Sequence, residues 1–471
     1  MQRFTPSALL GVALALAACS TNEDTSSSAG TSGHAGTSGA SSGASGSGGA
    51  SSGAGGATSG PTGGTGGATP GAGGGTNGTG GAGGTTGTVA DAAVGDGALP
   101  LSTCGRWIVD RNGKRVKLAG VNWYGASDVR YVVGGLDKVP MRQIVSTIRD
   151  LGFNAVRLPF SNVMLGMTTQ VAASAVAANP DLVGKTPLQV FDATVAALTD
   201  AGVFVMLNNH TTHAMWCCNY DDDGLWYTSD YSEEKWIADW EMLATRYASN
   251  LRVFGADLRN ELRPAKTNGT IFPTLVNWGG GGAPDWAAAA TRAGDRVHAK
   301  NPNLVIVVEG IDSADNLTGV RGRPVVLAHP AKLAYEAHQY GFFPSPPGDS
   351  SNPYSGMSAA QLKTASNGKW GYILDPGQTY TAPVILGEFG DGDQSTWIGN
   401  LEAYMREFDI DFTYWAVNGG PKASGDSEPY GLLDDDWTTV RRDARLTAIQ
   451  ALIAPTRGPG IAAGDACPAG P

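Results

Sequence analysis

From Val116 onward the chain repeats one texture: a short apolar run, a polar or aromatic group at its end, then a longer amphipathic stretch. The apolar runs are VKLAGVNWYG from Val116, NAVRLPF from Asn154, VFVMLNNH from Val203, VFGADLRNE from Val253, LVIVVEG from Leu304, LAYEAHQYG from Leu333, PVILGEFG from Pro383 and FTYWAVNG from Phe412. Runs this short, bounded by turn residues, have the length of buried strands. The stretches between them predict helices over Met141–Leu151, Pro187–Ala201, Glu233–Asn250, Asp285–Lys300, Ala359–Ile373, Ser395–Phe408 and Thr438–Ile453. Such alternation calls for a parallel sheet, and eight units over about 300 residues fit a closed α/β (β/α)8 TIM barrel better than an open sheet. Open doubly wound sheets usually carry a Gly-rich phosphate loop after the first strand, and GVNWYG is not one.

The runs end in Trp123 and Tyr124, Arg157, His210, Asn260 and Glu261, Glu309, His338 and Tyr340, Glu388, and Trp415. In a barrel the C-terminal ends of all strands surround one opening, so these scattered residues converge there. Within FGADLRNE alone, Glu261 is either catalytic or half of an ion pair with Arg259 that caps a strand. APVILGEFG favours the catalytic reading by placing Glu388 in the same manner on the seventh run, across the mouth from the fourth. Arg259, two residues before Glu261, is then a structural neighbour.

Two carboxylates, several aromatics and an arginine, without a nucleotide motif or a cysteine nucleophile, form the inventory of a glycosidase. One carboxyl must donate a proton to the departing glycosidic oxygen, and the other must be ionised to attack or to activate water. A separation of about 5 Å implies a retaining, double-displacement mechanism. A cation and a phenol beside Glu388 would favour its charged form.

The ordered set VRLPF, NNH, RNE, HQY, GEFG and YWAVNG resembles glycoside hydrolase family 5, the cellulase family of the large barrel clan, over essentially all of the chain after about residue 99. The resemblance implies that Glu261 is the acid/base and Glu388 the nucleophile. It also implies that Asn260 binds the 2-hydroxyl of the cleaved sugar, that Arg157 and Tyr340 orient Glu388, and that His210, His338 and Trp415 line the same subsite. Two features depart from the usual pattern: Asn260-Glu261-Leu262-Arg263-Pro264 displaces a proline, and Asn208-Asn209-His210 stands where an acidic residue is common. They bear on sugar preference, not on the catalytic pair.

Aromatics in loops after strands are the candidates for stacking on sugar faces: Trp123, Trp216, Trp226 and Tyr227. Trp236 and Trp240, four apart in a helical segment, read as core packing. His213 and His298 read as surface or structural, and Glu309 as a carboxylate behind the catalytic pair. In the loop after the third run, Asn219, Asp221, Asp223, Gly224 and Asp230 nearly match calcium-loop spacing, but the first and twelfth positions depart from it. A solvated acidic loop is the favoured reading, with structural calcium a minority one. No metal or other cofactor is expected for catalysis.

Composition changes the picture mainly at the N-terminus. Between Gly30 and Gly97 the chain is almost wholly Gly, Ser, Thr and Ala, which cannot offset its ordering entropy by burial and reads as a flexible linker. Before it, MQRFTPSALLGVALALAACS has the form of a secretory signal, and Leu16-Ala17-Ala18-Cys19 resembles a bacterial lipobox with Cys19 as the lipidated residue. The expected organisation is a signal peptide over residues 1–18, a linker over 19–98 and a catalytic domain over 99–471. The linker would have a root-mean-square reach of roughly 45 Å. Export permits disulfides: Cys104 with Cys467 is the favoured pair, leaving Cys217 and Cys218 as a vicinal disulfide or as thiols.

The net charge of −11 comes with no basic stripe, so nucleic acid is not an expected partner. The remaining expectations are a polysaccharide or oligosaccharide substrate, membrane contact only through Cys19, a monomer, and location in the bacterial cell envelope or outside the cell. The expected activity is endo-acting hydrolysis of β-1,4-glucan. A β-mannanase, an exo-β-glucosidase and an inactive surface carbohydrate-binding protein are the alternatives; two glutamates argue against the last.

Overall fold

The structure is a computed structural model and describes residues 94–218, 221–266, 274–341 and 354–453. The expected signal peptide, Cys19, nearly all of the linker, Asn219 and Cys467 lie outside the described residues, so the lipid anchor and the Cys104–Cys467 pairing are not placed.

A short antiparallel hairpin, β1 (Ser102–Cys104) and β2 (Trp107–Val109), precedes eight strands: β3 (Ala119–Asn122), β4 (Ala155–Ser161), β5 (Phe204–Thr211), β6 (Val253–Asp257), β7 (Val305–Glu309), β8 (Leu333–His338), β9 (Val384–Glu388) and β10 (Asp411–Tyr414). Each pairs in parallel with the next, and β10 pairs with β3, which closes the barrel. All eight apolar runs are barrel strands. The hairpin was not anticipated.

The helices are α1 (Met141–Asp150), α2 (Asn162–Leu165), α3 (Pro187–Asp200), α4 (Glu233–Arg246), α5 (Trp286–Lys300), α6 (Ala359–Lys369), α7 (Thr396–Phe408) and α8 (Ala444–Ile453). Local chemistry sets their starts: Thr186 and Gln189 form a capping box on α3, and the Asp285 side chain accepts the Ala288 N–H at the start of α5. The last helix begins six residues later than expected. Thr438 and Thr439 instead donate their N–H groups to Asp436, and Val440 pairs with Leu433. Between β7 and β8 the described chain forms only 3-10 turns, Thr318–Arg321 and Pro330–Lys332, which agrees with the lack of an amphipathic stretch there.

Alternation along the strands separates two apolar cores. Val205, Leu207, Ile306 and Val308 point out toward the helices, while Phe204, Met206, Val305, Val307, Ala334 and Ile385 point into the barrel. Leu99, Leu101, Ile108 and Val116 from the hairpin region pack onto this inner cluster. Asp96–Ala98 forms a 3-10 turn, and Arg252 holds it through Val94 O and Asp96.

One step further along the inward face the side chains become polar, which is how the same alternation that fills the barrel also builds the site. Gly387 on β9 belongs to this layer, and a Cβ there would overlap the Glu336 carboxylate. Gly387→Ala is therefore expected to displace Glu336 and to lower stability by about 1–3 kcal/mol in urea or thermal unfolding; an unchanged midpoint would contradict this packing.

Candidate active site

The polar layer is organised on Arg157, which is fully buried. Its Nε faces Asp257 and Glu336, each at 2.9 Å. Nη1 donates to Asn122 Oδ1 at 3.0 Å and to Glu388 Oε1 at 2.7 Å, and Nη2 donates to Asn260 Oδ1 and Glu309 Oε1, both at 2.8 Å. A planar guanidinium with five fixed donors suits this many-sided role, which a lysine could not fill.

Glu388 closes β9 and lies 4% exposed. Arg157 holds one of its oxygens, and the Tyr340 hydroxyl donates to the other at 3.0 Å. Burial pushes its carboxyl above the ordinary range; His338, Arg157 and the Tyr340 hydrogen bond act against this without cancelling it. The cation and phenol are thus where the sequence placed them, but desolvation outweighs them and the net direction is up.

Glu261 follows β6 with φ +43°, in the left-handed region, and its carboxyl is partly open to solvent. His338 Nδ1 lies 2.9 Å from Glu261 Oε1, and Nε2 lies 3.2 Å from Glu336 Oε1. Burial lowers the imidazole pKa, but Glu388, Glu309 and the bonds to Glu261 and Glu336 outweigh it and hold the ring well above its usual value, so His338 is an imidazolium donating to both. Oxygens of Glu261 and Glu388 and the His338 nitrogen lie within 4.8 Å of one another. That spacing belongs to the retaining arrangement.

His210 Nδ1 meets Asn208 Oδ1 at 2.8 Å, and burial followed by the Arg157 charge keeps the ring neutral. Its plane stacks on Trp415 at 5.7 Å, and Tyr124 stacks on the same indole at 4.9 Å. Trp216 meets Trp415 edge-on at 6.2 Å, is partly exposed, and carries Lys422 Nζ 4.2 Å over its ring. These residues form an aromatic wall beside the carboxylates.

Trp123 and Trp226 do not belong to that wall. Both are fully buried in the outer core, with their indole N–H groups donated to Gly134 O and Glu233 Oε2, so neither offers a face to a sugar. A tryptophan after a strand can turn outward under the helices as readily as inward, and sequence position does not tell which. Tyr227 packs against Trp226 at 5.3 Å. Trp236 and Trp240 are core residues that both donate to Leu258 O, and His298 is buried against Leu304 O.

Arg259 is the structural neighbour expected of it. Fully buried, it binds Asp223 at 2.8 Å, and Asp223 also accepts the Thr212 N–H. Asp221 pairs with Arg263 at 3.3 Å. Two carboxylates of the calcium-like spacing are therefore already committed to arginines. Cys217 and Cys218 form a vicinal disulfide, and Asn260 Nδ2 lies 3.5 Å from the Cys217 sulfur.

Among the described residues three donor triads are compact enough to hold a metal ion: in Cys217–Cys218–Glu261 the sulfurs are joined in a disulfide, which leaves Glu261–His338–Glu388 and Glu309–Glu336–His338. Both share His338, whose nitrogens already serve Glu261 and Glu336, and the Arg157 cation sits among Glu309, Glu336 and Glu388. An added cation would have to displace these contacts.

Three participants were not singled out from sequence, Asn122, Asp257 and Glu336, and Asn208 was noted only as a departure from the family pattern. The signal was present as polar residues interrupting apolar runs, two positions before a named residue in Asn208–His210 and Glu336–His338, and so on the same strand face.

The sequence profile of the Cellulase family, glycosyl hydrolase family 5, matches residues 109–420. An endoglucanase of Paenibacillus polymyxa is 36% identical over 360 residues, which is 72% of this chain and 84% of that protein. The major extracellular endoglucanase of Xanthomonas campestris pv. campestris is 34% identical over 74% of this chain and 70% of its own length. Among solved structures, an endocellulase variant from Pyrococcus horikoshii in complex with cellotetraose superposes with a TM-score of 0.64 at 31% identity, covering 76% of this chain and 99% of that one. The catalytic domain of the Xanthomonas enzyme gives 0.63 at 32% identity, covering 75% and 99%. With this profile laid over the barrel and both glutamates, the chain belongs to glycosyl hydrolase family 5.

Proposed function

We propose that the protein is a retaining endo-β-1,4-glucanase. The observation that carries this is the pair of glutamates, Glu261 and Glu388, facing each other from β6 and β9 with oxygens within 4.8 Å. The β-1,4-glucan substrate is supported by the endoglucanase relatives and by the cellotetraose complex of a structural neighbour.

In the first step Glu388 attacks the anomeric carbon while Glu261 protonates the glycosidic oxygen, whose bond to that carbon breaks and which leaves as the 4-hydroxyl of the chain with the new non-reducing end. A covalent glycosyl-enzyme on Glu388 results. In the second step Glu261, now ionised, takes a proton from water, which displaces Glu388 and restores the configuration. Arg157 and the Tyr340 hydroxyl aim Glu388, and the His338 imidazolium steadies Glu261 in both of its protonation states. Asn260, anchored on Arg157 through Oδ1 and with Nδ2 3.5 Å from the Cys217 sulfur, meets the 2-hydroxyl by exchanging that weak sulfur contact, and the partly exposed Trp216 beside Trp415 supplies an apolar face for a pyranose ring.

The folded domain works at the end of a lipid-anchored tether as a monomer without cofactor. Support lies in the lipobox-like sequence before Cys19 and the glycine-rich stretch after it. Fatty-acid labelling of the wild type and its loss in Cys19→Ala is the expected result, and label that survives the substitution would refute the anchor.

On a panel of soluble polysaccharides, cleavage of carboxymethyl cellulose in preference to mannan is expected. Glu261→Ala should lose about 10²–10⁴ of kcat/KM on these polysaccharides, with azide restoring turnover of an activated aryl glycoside that needs no leaving-group proton, while Glu388→Ala should show no measurable hydrolysis. Full activity in either variant, or mannan as the preferred substrate, would count against the assignment.

Because the Glu388 carboxyl sits above the ordinary range, it gains its proton at higher pH than a free carboxylate and is then unable to attack. The acid limb of kcat/KM should therefore fall above pH ~4.3; a limb at lower pH would contradict the burial argument. Since Asp221 and Asp223 already pair with Arg263 and Arg259, chelation of calcium should leave the melting temperature unchanged.

A further inference from the structure

Sugar cleavage calls on Glu261 and Glu388, yet a third carboxylate touches Glu261 directly and reaches Glu388 through Arg157. Glu309, the last residue of β7, is fully buried. Its Oε2 accepts the backbone N–H of Glu261 at 2.7 Å, and its Oε1 accepts from Arg157 Nη2 at 2.8 Å. Arg157 in turn donates through Nη1 to Glu388 at 2.7 Å. One side chain thus links the main chain of the proton donor to the cation that holds the nucleophile.

The link matters because of the backbone it grips. Glu261 stands at φ +43°, a conformation that side-chain-bearing residues adopt only when their surroundings impose it. A charge-assisted hydrogen bond to its N–H is such an imposition. Glu309 is itself fixed: Trp286 Nε1 donates to its carbonyl at 2.8 Å, and its peptide pairs within the β7–β8 ladder. The groups facing it are Arg157, Asp257, Glu336 and His338, with His338 Nε2 at 3.8 Å from Oε2. Burial and Asp257 push its carboxyl upward, but both oxygens face N–H donors, so the ionised form is the one the geometry satisfies.

We infer that Glu309 is a positioning residue for the acid/base: it locks the turn at Glu261 and, through Arg157, ties the placement of the proton donor to that of the nucleophile. His338 steadies the Glu261 side chain from one side, and Glu309 sets its backbone from beneath. A glutamine at 309 retains one acceptor oxygen but turns an NH2 group toward either Glu261 N–H or Arg157. An aspartate retains the charge but is too short to reach both.

This inference rests on Glu261 as acid/base, and the experiment separates the two. Glu309→Gln and Glu309→Asp, in the full chain, are compared with the wild type and with Glu261→Ala on two substrates. Cellotetraose needs protonation of its leaving group; 2,4-dinitrophenyl β-cellobioside does not. Misplacing the donor should cut kcat/KM on cellotetraose about 100-fold in both Glu309 variants, while the aryl glycoside changes less than about threefold. Melting temperatures identify a variant that fails to fold, in which case the other decides by the same ratio.

If Glu261→Ala shows this selective loss but the folded Glu309 variants lose both substrates equally, or neither, the positioning role is overturned and the acid/base reading stands. If both fail to fold, Glu309 is a folding requirement and the inference is overturned as well. If Glu261→Ala itself loses both substrates equally, the acid/base reading fails, and the inference with it.

Discussion

The site depends on one buried cation. The Arg157 guanidinium reaches Asn122 on β3, Asp257 on β6, Glu309 on β7, Glu336 on β8 and Glu388 on β9, so a single side chain ties five other strands together at the level where the chemistry begins. Four carboxylates in a dry barrel would repel one another, and each would be costly to desolvate alone. Arg157 and the His338 imidazolium supply two positive charges among them. Burial is what pushes Glu309, Glu336 and Glu388 upward, and these two cations offset it only in part. Removing the arginine would leave buried carboxylates without their partner, a change far larger than the loss of any one hydrogen bond.

The two glutamates of the proposed mechanism differ in kind. Glu388 is deep, fixed at both oxygens and almost closed off from solvent, which suits the aimed carboxylate of the proposed nucleophile. Glu261 is more open, sits on a strained turn and is held at one oxygen by His338, which suits a group that must exchange protons with leaving group and water in successive steps. The aromatic wall of Tyr124, His210, Trp216 and Trp415 lies at the same end of the barrel, with Trp216 its partly exposed member.

Much of this was legible in the sequence because barrel strands are short, apolar and punctuated. All eight runs became strands, and Arg157, His338, Tyr340 and Glu388 joined one hydrogen-bonded set as their places at strand ends implied. Glu261 joined through His338. What was not legible follows from geometry that linear spacing does not encode. Trp123 and Trp226 stand beside strand ends yet turn into the core, since a side chain's direction in a loop is set by packing. Asp257 and Glu336 were passed over because they sit inside runs that otherwise read as buried, and only the closed barrel brings them onto Arg157. The left-handed turn at Glu261 likewise has no sequence signal, since neither glycine nor asparagine marks it.

In the proposed mechanism Glu261 and Glu388 act in a double displacement. The most direct measurement is the anomeric configuration of the first product, followed by proton NMR during hydrolysis of cellotetraose before mutarotation equilibrates it. The spacing within 4.8 Å predicts that the β-anomer appears first. Initial appearance of the α-anomer would mean a single displacement by water, and would contradict the assignment of Glu388 as nucleophile.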